Sequence, residues 1–289
     1  MSFAIVTDSG ANLPTALIAK YDLHVVAMSC WVNGTAYLCD DLDRFDGDAF
    51  YATLRDKNTA VSTSLVNTDA FLRVMEPLAQ AGQDILYIGL SSGVSGTYQA
   101  AFTAVAQLRE LYPGQSFSAL DSLGAGLGEG MLAIEAAKLR DAGLSLDAAE
   151  RKLIKLRAHR HQLFTVDDLM YLRRGGRLSG LSAMVGTVLN IKPLLTGREG
   201  RIVVYGKTKG RRSALKALAE DYRNKVIQAD RQTVYITHGG CPQDAALLAE
   251  MVMAACPPAD IVTVPHEPVT GCHVGPGMLA LFFFGRETQ

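Results

Sequence analysis

The densest gathering of residues able to do chemistry is Gly89-Leu90-Ser91-Ser92-Gly93-Val94-Ser95-Gly96-Thr97. Glycines let backbone N–H groups approach an anion closely, and hydroxyls add donors without adding charge, which suits a carboxylate or a phosphate. Thr7-Asp8-Ser9-Gly10 and Asp121-Ser122 repeat the same residue types elsewhere. The bland alternative for any one of these loops is helix capping and turn formation. Gly89-Leu90-Ser91-Ser92-Gly93 also fits the nucleophile-elbow pattern G-x-S-x-G, so a serine hydrolase or acyltransferase using Ser91 is a second reading. Against it, Gly93 and Gly96 imply a longer turn than an elbow allows. His238 and His273 are available as a base, but no carboxylate partner is marked by spacing.

Other clusters are weaker. Arg173-Arg174-Gly175-Gly176-Arg177 sets guanidiniums around a glycine pair, and Lys192, Lys207, Lys209, Arg211 and Arg212 add positive charge in a balanced chain. Such a patch suits docking to an acidic or phosphate-bearing partner, or is a set of solvated helix ends. A protein-docking module built on it is the third reading. His273 sits in Gly271-Cys272-His273-Val274-Gly275-Pro276-Gly277, a turn-like setting just before an apolar run, where ligand contact and structural hydrogen bonding are both open. His159 and His161, flanked by arginine, read as exposed surface. Asp40, Asp41, Asp43, Asp46 and Asp48 lack the glycine and final glutamate of a calcium loop and read as a solvated loop with a helix cap. Cys30, Cys39, Cys241, Cys256 and Cys272 contain no C-x-x-C pair and read as reduced thiols. No G-x-x-x-x-G-K-S/T and no G-x-G-x-x-G after a strand occurs, so a nucleotide has no recognisable cradle and no cofactor is expected.

The elements that must hold these residues follow from apolar periodicity. Runs of strand length alternate with segments of helical period, which predicts an α/β fold. Strands are expected at Phe3–Thr7, Leu23–Trp31, Ile85–Leu90 and Phe117–Leu120, with Asn33-Gly34 as a hairpin turn. Helices are expected near Leu13–Lys20, Gly47–Arg55, Thr68–Ala81 with Asn67 as cap, Thr97–Leu111, Gly126–Asp141 and Ser145–Arg160. Thr7-Asp8, Ser91-Ser92 and Asp121-Ser122 then fall at the carboxyl ends of strands, where parallel sheets form their binding crevice. Together they read as a hydroxyl-rich rim. Beyond residue 160 helices are expected near Asp167–Arg173, Leu181–Leu189, Arg212–Ile227 and Gln243–Ala255. Strands are expected at Ile191–Leu195, Arg201–Gly206, Thr233–Thr237, Ile261–Val264 and Met278–Phe284, the last central because it is apolar on both faces.

The expected organisation is two domains, 1–160 with a mostly parallel sheet flanked by helices and 161–289 as a second α/β domain. The 289 residues, 48% hydrophobic and 20% charged, suffice for real cores. Lys plus Arg number 28 against 29 Asp plus Glu, so no broad basic field attracts nucleic acid or an anionic membrane. No run is long enough to span a bilayer, and the N-terminus lacks signal-peptide features, which gives an expected cytoplasmic location.

Taken in order, the motifs resemble the DegV family of bacterial fatty-acid-binding proteins, whose members include the lipid-carrying component of fatty acid kinase. The matching segments are Thr7-Asp8-Ser9 with Leu13-Pro14, Ser62-Thr63-Ser64, Leu90-Ser91-Ser92 with Ser95-Gly96-Thr97-Tyr98-Gln99, and Asp121-Ser122. They continue through Leu172 with Gly175-Gly176-Arg177, Ile191-Lys192-Pro193, and His273-Val274-Gly275-Pro276-Gly277. The resemblance implies a non-enzymatic carrier holding one long-chain fatty acid in a cleft between its domains, with the carboxylate met by Thr63, Ser64, Ser92 and His273. It also implies a separate ATP-using fatty acid kinase subunit as partner, docking near Arg177 and Lys209, that phosphorylates the presented acid to an acyl phosphate. Where the family continues Gln-Pro-Ser after the hydroxyl triplet, this chain has Leu65-Val66-Asn67. The family's Lys-x-Arg-Gly reads Lys207-Thr208-Lys209-Gly210 here.

Overall fold

The structure is a computed structural model that describes residues 2–39, 41–56, 58–178 and 190–287. The chain packs as two compact units, residues 1–45 with 60–158, and residues 46–59 with 159–289. A single cut at residue 160 does not separate out the 46–59 segment.

The first unit runs β1 (Phe3–Asp8), α1 (Thr15–Lys20), β2 (Leu23–Val26), β3 (Met28–Val32) and β4 (Thr35–Cys39). After the excursion of α2 (Gly47–Leu54) into the second unit come β5 (Val61–Ser64), α3 (Thr68–Gln80), β6 (Asp84–Gly89), α4 (Thr97–Leu111), β7 (Phe117–Asp121), α5 (Leu127–Asp141) and α6 (Leu146–Arg157). The order β2-β1-β6-β7 is parallel throughout. Its central strands are buried on both faces, β1 along its whole length, which is why they read as unbroken apolar runs. The helices α3 and α4 pack together on this sheet, as do α5 and α6. Asn67 caps α3, its side chain accepting from the Ala70 N–H at 2.9 Å.

The expected single strand Leu23–Trp31 is two strands. Its first half joins the parallel sheet beside β1, while its second half pairs antiparallel with β4 and β5 in a separate sheet of order β4-β3-β5. The switch falls at Ala27, and the Ser9 hydroxyl accepts the Met28 N–H at 2.9 Å just beyond it. Asn33 (φ 50°) and Gly34 (φ 81°) turn the β3–β4 hairpin in the left-handed conformation that two-residue loops require.

The second unit contains β8 (Arg160–Thr165), α7 (Met170–Arg174), β9 (Ile191–Arg198), β10 (Arg201–Lys209), α8 (Arg211–Lys225), β11 (Thr233–His238), α9 (Pro242–Ala255), β12 (Asp260–Pro265), α10 (Pro268–Val274) and β13 (Leu279–Phe284). The expected helix Leu181–Leu189 lies outside the described residues. The sheet order is β10-β9-β8-β13-β11-β12, and of these described strand pairs β11–β12 runs parallel and the other four antiparallel. The strand β13 is interior, as its two-sided apolarity predicts. Leu279, Leu281 and Phe283 face a core shared with Leu215, Leu218, Tyr222, Leu248 and Val252 of α8 and α9.

The helix α2 belongs here through Tyr51, whose hydroxyl donates to the His266 carbonyl at 2.9 Å. Gly240 and Gly271 leave room for that ring, since a Cβ there would lie 2.7 Å from Tyr51 Cβ and 2.2 Å from its hydroxyl oxygen. His159 and His161, expected on the surface, have their ring nitrogens hydrogen-bonded to the carbonyls of Gly285 (3.1 Å) and Arg286 (2.8 Å). His161 is buried and stacks on Phe283, because β8 lies inside the sheet rather than trailing from a helix end.

Candidate functional site

In the first unit the expected hydroxyl rim is mostly turned inward. Asp8 is fully buried at the end of β1, where it accepts from the Tyr87 hydroxyl (2.6 Å), the Gly10 N–H (2.9 Å) and the Leu90 N–H (3.2 Å). Burial pushes its carboxyl above the ordinary range, against the lowering effect of those bonds. It ties the ends of β1 and β6 together. Thr7 donates to Glu129 at 2.8 Å, Ser9 is engaged by Met28, and the Ser122 hydroxyl closes a turn with Gly124. These side chains are structural ties, because a strand end covered by helices must satisfy its polar groups internally.

Ser92 is the exception. It is exposed, and its hydroxyl donates to Asp121 Oδ2 at 2.5 Å from the neighbouring strand end. The Asp121 carboxylate also receives the N–H groups of Leu123 (2.8 Å) and Ser92 (3.3 Å to Oδ1). Sequence reading found both residues but not their bond, which arises because β6 and β7 are parallel neighbours with Gly89 opposite Asp121.

Ser91 does not have elbow geometry. It is 1% exposed, its hydroxyl accepts the Gly93 N–H at 3.2 Å, and its φ is not positive. The helix α4 starts only at Thr97, after a turn in which the Val94 and Ser95 N–H groups bond the Ser91 carbonyl.

Thr63 and Ser64 lie on β5, opposite Cys30 and Ser29 respectively. Strand alternation puts Thr63 on the half-buried face with the buried Cys30, and Ser64 on the exposed face. The two hydroxyls therefore point to opposite sides of one strand. The Leu65 side chain that follows is 55% exposed, and the next residue is tied to α4 by the Val66 N–H donating to Thr97 Oγ1 at 3.3 Å.

In the second unit His273 is not in a loop but in the last turn of α10. Sequence reading missed this helix because it holds glycine and β-branched residues. It forms because Pro268 starts it and the buried Glu267 caps it, accepting from the N–H groups of Val269 (2.5 Å) and Thr270 (2.8 Å). His273 is half-buried, and desolvation, with the Arg177 charge second, lowers its pKa to about 4. Its imidazole is therefore neutral at pH 7. Gly175 makes space for the ring, since a Cβ there would come within 2.7 Å of Nδ1. Arg177 donates to the Gly175 carbonyl. This brings two residues singled out separately, His273 and Arg177, into one neighbourhood.

The remaining basic residues divide into two groups. Lys192 pairs with Asp167 at 2.6 Å and Arg211 with Asp244 at 2.8 Å, whereas Arg173, Arg174, Lys207, Lys209 and Arg212 are exposed. Among the described residues no group of three or more His, Cys, Asp or Glu is arranged to hold a metal, and no helix is long and apolar enough to cross a membrane.

Comparison with known proteins settles the family. Residues 2–286 match the model of the DegV family, described as uncharacterised proteins. The chain belongs to the DegV family. A DegV domain-containing protein of Clostridium perfringens is 36% identical over 289 residues, covering 99% of each chain, and one of Lactococcus lactis is 34% identical over 290 residues, covering 100% of each. A DegV family protein of Thermus thermophilus, whose structure is described as showing fatty acid binding, superimposes with a TM-score of 0.89 at 30% identity. That superposition covers 99% of this chain and 100% of the other. A fatty acid binding DegV family protein of Streptococcus agalactiae gives 0.84 at 27% identity, covering 99% and 100%. The DegV fold thus accounts for both units, including the parallel sheet flanked by helices.

Proposed function

We propose that this protein binds one long-chain fatty acid per chain, its carboxyl head met by the hydroxyls of Thr63 and Ser92 and by His273. The observation that carries the reading is end-to-end similarity to DegV proteins described as binding fatty acid. Ser64, on the other face of β5, is the outlying member of the expected contact set. A tail of about 16 carbons at about 0.8 kcal/mol per buried methylene offers on the order of 12 kcal/mol before association costs. The tail supplies affinity, and the polar residues set orientation. Hydroxyls offset desolvation of the head without fixing a permanent counter-ion, which suits a carrier that must release its cargo.

We propose further that the bound acid is presented to a separate ATP-using fatty acid kinase subunit, which phosphorylates it to an acyl phosphate and docks at the exposed basic surface that includes Lys209, with Arg177 beside the head-group histidine. Nothing resembling a nucleotide loop occurs in this sequence, so phosphoryl transfer calls for that second chain.

Native and denaturing mass spectrometry of freshly purified protein tests the first part. One non-covalent species of fatty-acid mass per chain, released on denaturation, is expected. Empty protein that also refuses added palmitate or oleate refutes it. For the second part, Lys209→Glu, on the exposed basic surface, is expected to cut acyl phosphate formation by an added kinase subunit about tenfold with lipid content unchanged, through loss of a charge-assisted contact.

A further inference from the structure

A serine hydroxyl has one proton and two lone pairs. In Ser92 the proton is committed, donated to Asp121 Oδ2 at 2.5 Å. The Asp121 oxygens also receive N–H groups, Leu123 at 2.8 Å and Ser92 at 3.3 and 3.4 Å, a donor set that suits a carboxylate and leaves no place for that carboxylate to donate in return. Towards any ligand, Ser92 therefore presents lone pairs with a carboxylate behind them. A fatty-acid anion also presents only lone pairs, and the two surfaces repel.

The charged and titratable groups around Asp121 do not reverse this. Arg157 of α6 spends its guanidinium on the Asp121 main-chain carbonyl at 2.5 Å and, among the described residues, forms no ion pair with the carboxylate. Glu150, also of α6, accepts from Ser118 at 2.6 Å and adds negative charge. Tyr98 of α4 donates to the Ala119 carbonyl, and Tyr87 of β6 donates to Asp8, so neither hydroxyl is available as a donor. His273, the contact assigned from the second unit, is neutral at pH 7, with Arg177 as the cation beside it.

We propose that Asp121 is a positioning residue that makes Ser92 a hydrogen-bond acceptor, so that the protein takes its fatty acid as the neutral acid, whose O–H donates to Ser92 Oγ. This rests on the assignment of Ser92 as a head-group contact. Since a free fatty acid is ionised at neutral pH, binding then consumes one proton from solution: fatty-acid carboxylate plus H⁺ gives the bound acid, and no other bond is made or broken.

The test is calorimetric titration of the full-length protein, stripped of lipid, with oleate at pH 7.5 in two buffers of different ionisation enthalpy. Uptake close to one proton per oleate is expected, with the dissociation constant rising about tenfold per pH unit above neutrality. The carbonyl carbon of oleate labelled with carbon-13 at C1 is expected at its acid chemical shift when bound. In Asp121→Asn, the amide can donate to Ser92 Oγ and free its proton for the anion, so uptake should vanish and the bound carbon should move to the carboxylate shift. Binding by the wild-type protein without proton uptake, or with a carboxylate shift, overturns the inference while leaving fatty acid binding intact. Undiminished uptake in a folded Asp121→Asn variant overturns the role of Asp121. Failure of the wild-type protein to bind oleate at any pH overturns the underlying assignment as well.

Discussion

The hydroxyls of Thr63, Ser64 and Ser92 carry the same chemistry but different commitments, and single substitutions should separate them. Thr63→Ala and Ser92→Ala each remove a head-group partner and are expected to weaken oleate binding by about 1–2 kcal/mol, roughly five- to thirtyfold, in a fluorescence displacement assay. Ser64→Ala, on the other face of β5, should leave the affinity within about twofold. Histidines of the second unit predict a pH dependence of stability. His266 is fully buried between the Thr237 and Thr270 hydroxyls at 3.0 and 2.7 Å, and desolvation lowers its pKa to about 3 from an ordinary 6.5. The unfolded chain thus binds the proton more readily between those values, so His266 contributes stability above pH 6.5 that is lost as pH falls below it. By pH 5 the loss is on the order of 2 kcal/mol. His273, lowered to about 4, adds to it in the same direction. Asp8 runs the other way, since its raised carboxyl contributes stability at low pH that is lost as pH rises. Hydrogen exchange, corrected for intrinsic rates, should therefore show peptides of β11 and α10 opening more at pH 5 than at pH 7.5, while β1 and β6 do not. Equal protection of β11 at both values would refute the assignment.

Elements differ in how far local sequence determines them. The strands β1, β6 and β13 were legible because burial on both faces leaves them mainly apolar, β7 because of its short run Phe117, Ala119 and Leu120, and α3 because its cap and period agree. The strand β5, Val61–Ser64, was not, since a short half-exposed strand of hydroxyl residues carries no apolar run. For α10 the information sits outside the helix, in the Glu267 cap and the space left for Tyr51. The site was legible in residue type but not in commitment, because Thr7 is satisfied by Glu129 across 122 residues and Ser92 by Asp121 across 29. Close approach gives a test at this scale. Within α5, a Cβ on Gly130 would lie 2.6 Å from the Ala11 carbonyl oxygen and 2.8 Å from Leu13. Gly130→Ala should therefore destabilise by about 1–3 kcal/mol in urea unfolding, although alanine favours helix by about 1 kcal/mol. Gly114→Ala, with open space and ordinary backbone, is the neutral control.

At the scale of the whole chain, the assignment of α2 to the second unit means that a fragment of residues 159–289 lacks the Tyr51 ring for which Gly239, Gly240 and Gly271 make room. Such a fragment should show a shallow, non-cooperative thermal transition by circular dichroism, and a sharp one would refute the dependence on α2. The same connectivity sets a schedule for synthesis. On the ribosome, α2 emerges well before residue 159, the start of the segment it packs against, and at about 5–20 residues per second the roughly 100 intervening residues take on the order of 5–20 s. Throughout that delay Phe50, Tyr51 and Leu54, all buried in the finished protein, have no native surface to cover them while the first unit completes itself on either side. Nascent chains stalled after α2 has emerged but before the segment from residue 159 onward is made are accordingly the ones that should recruit chaperones through α2.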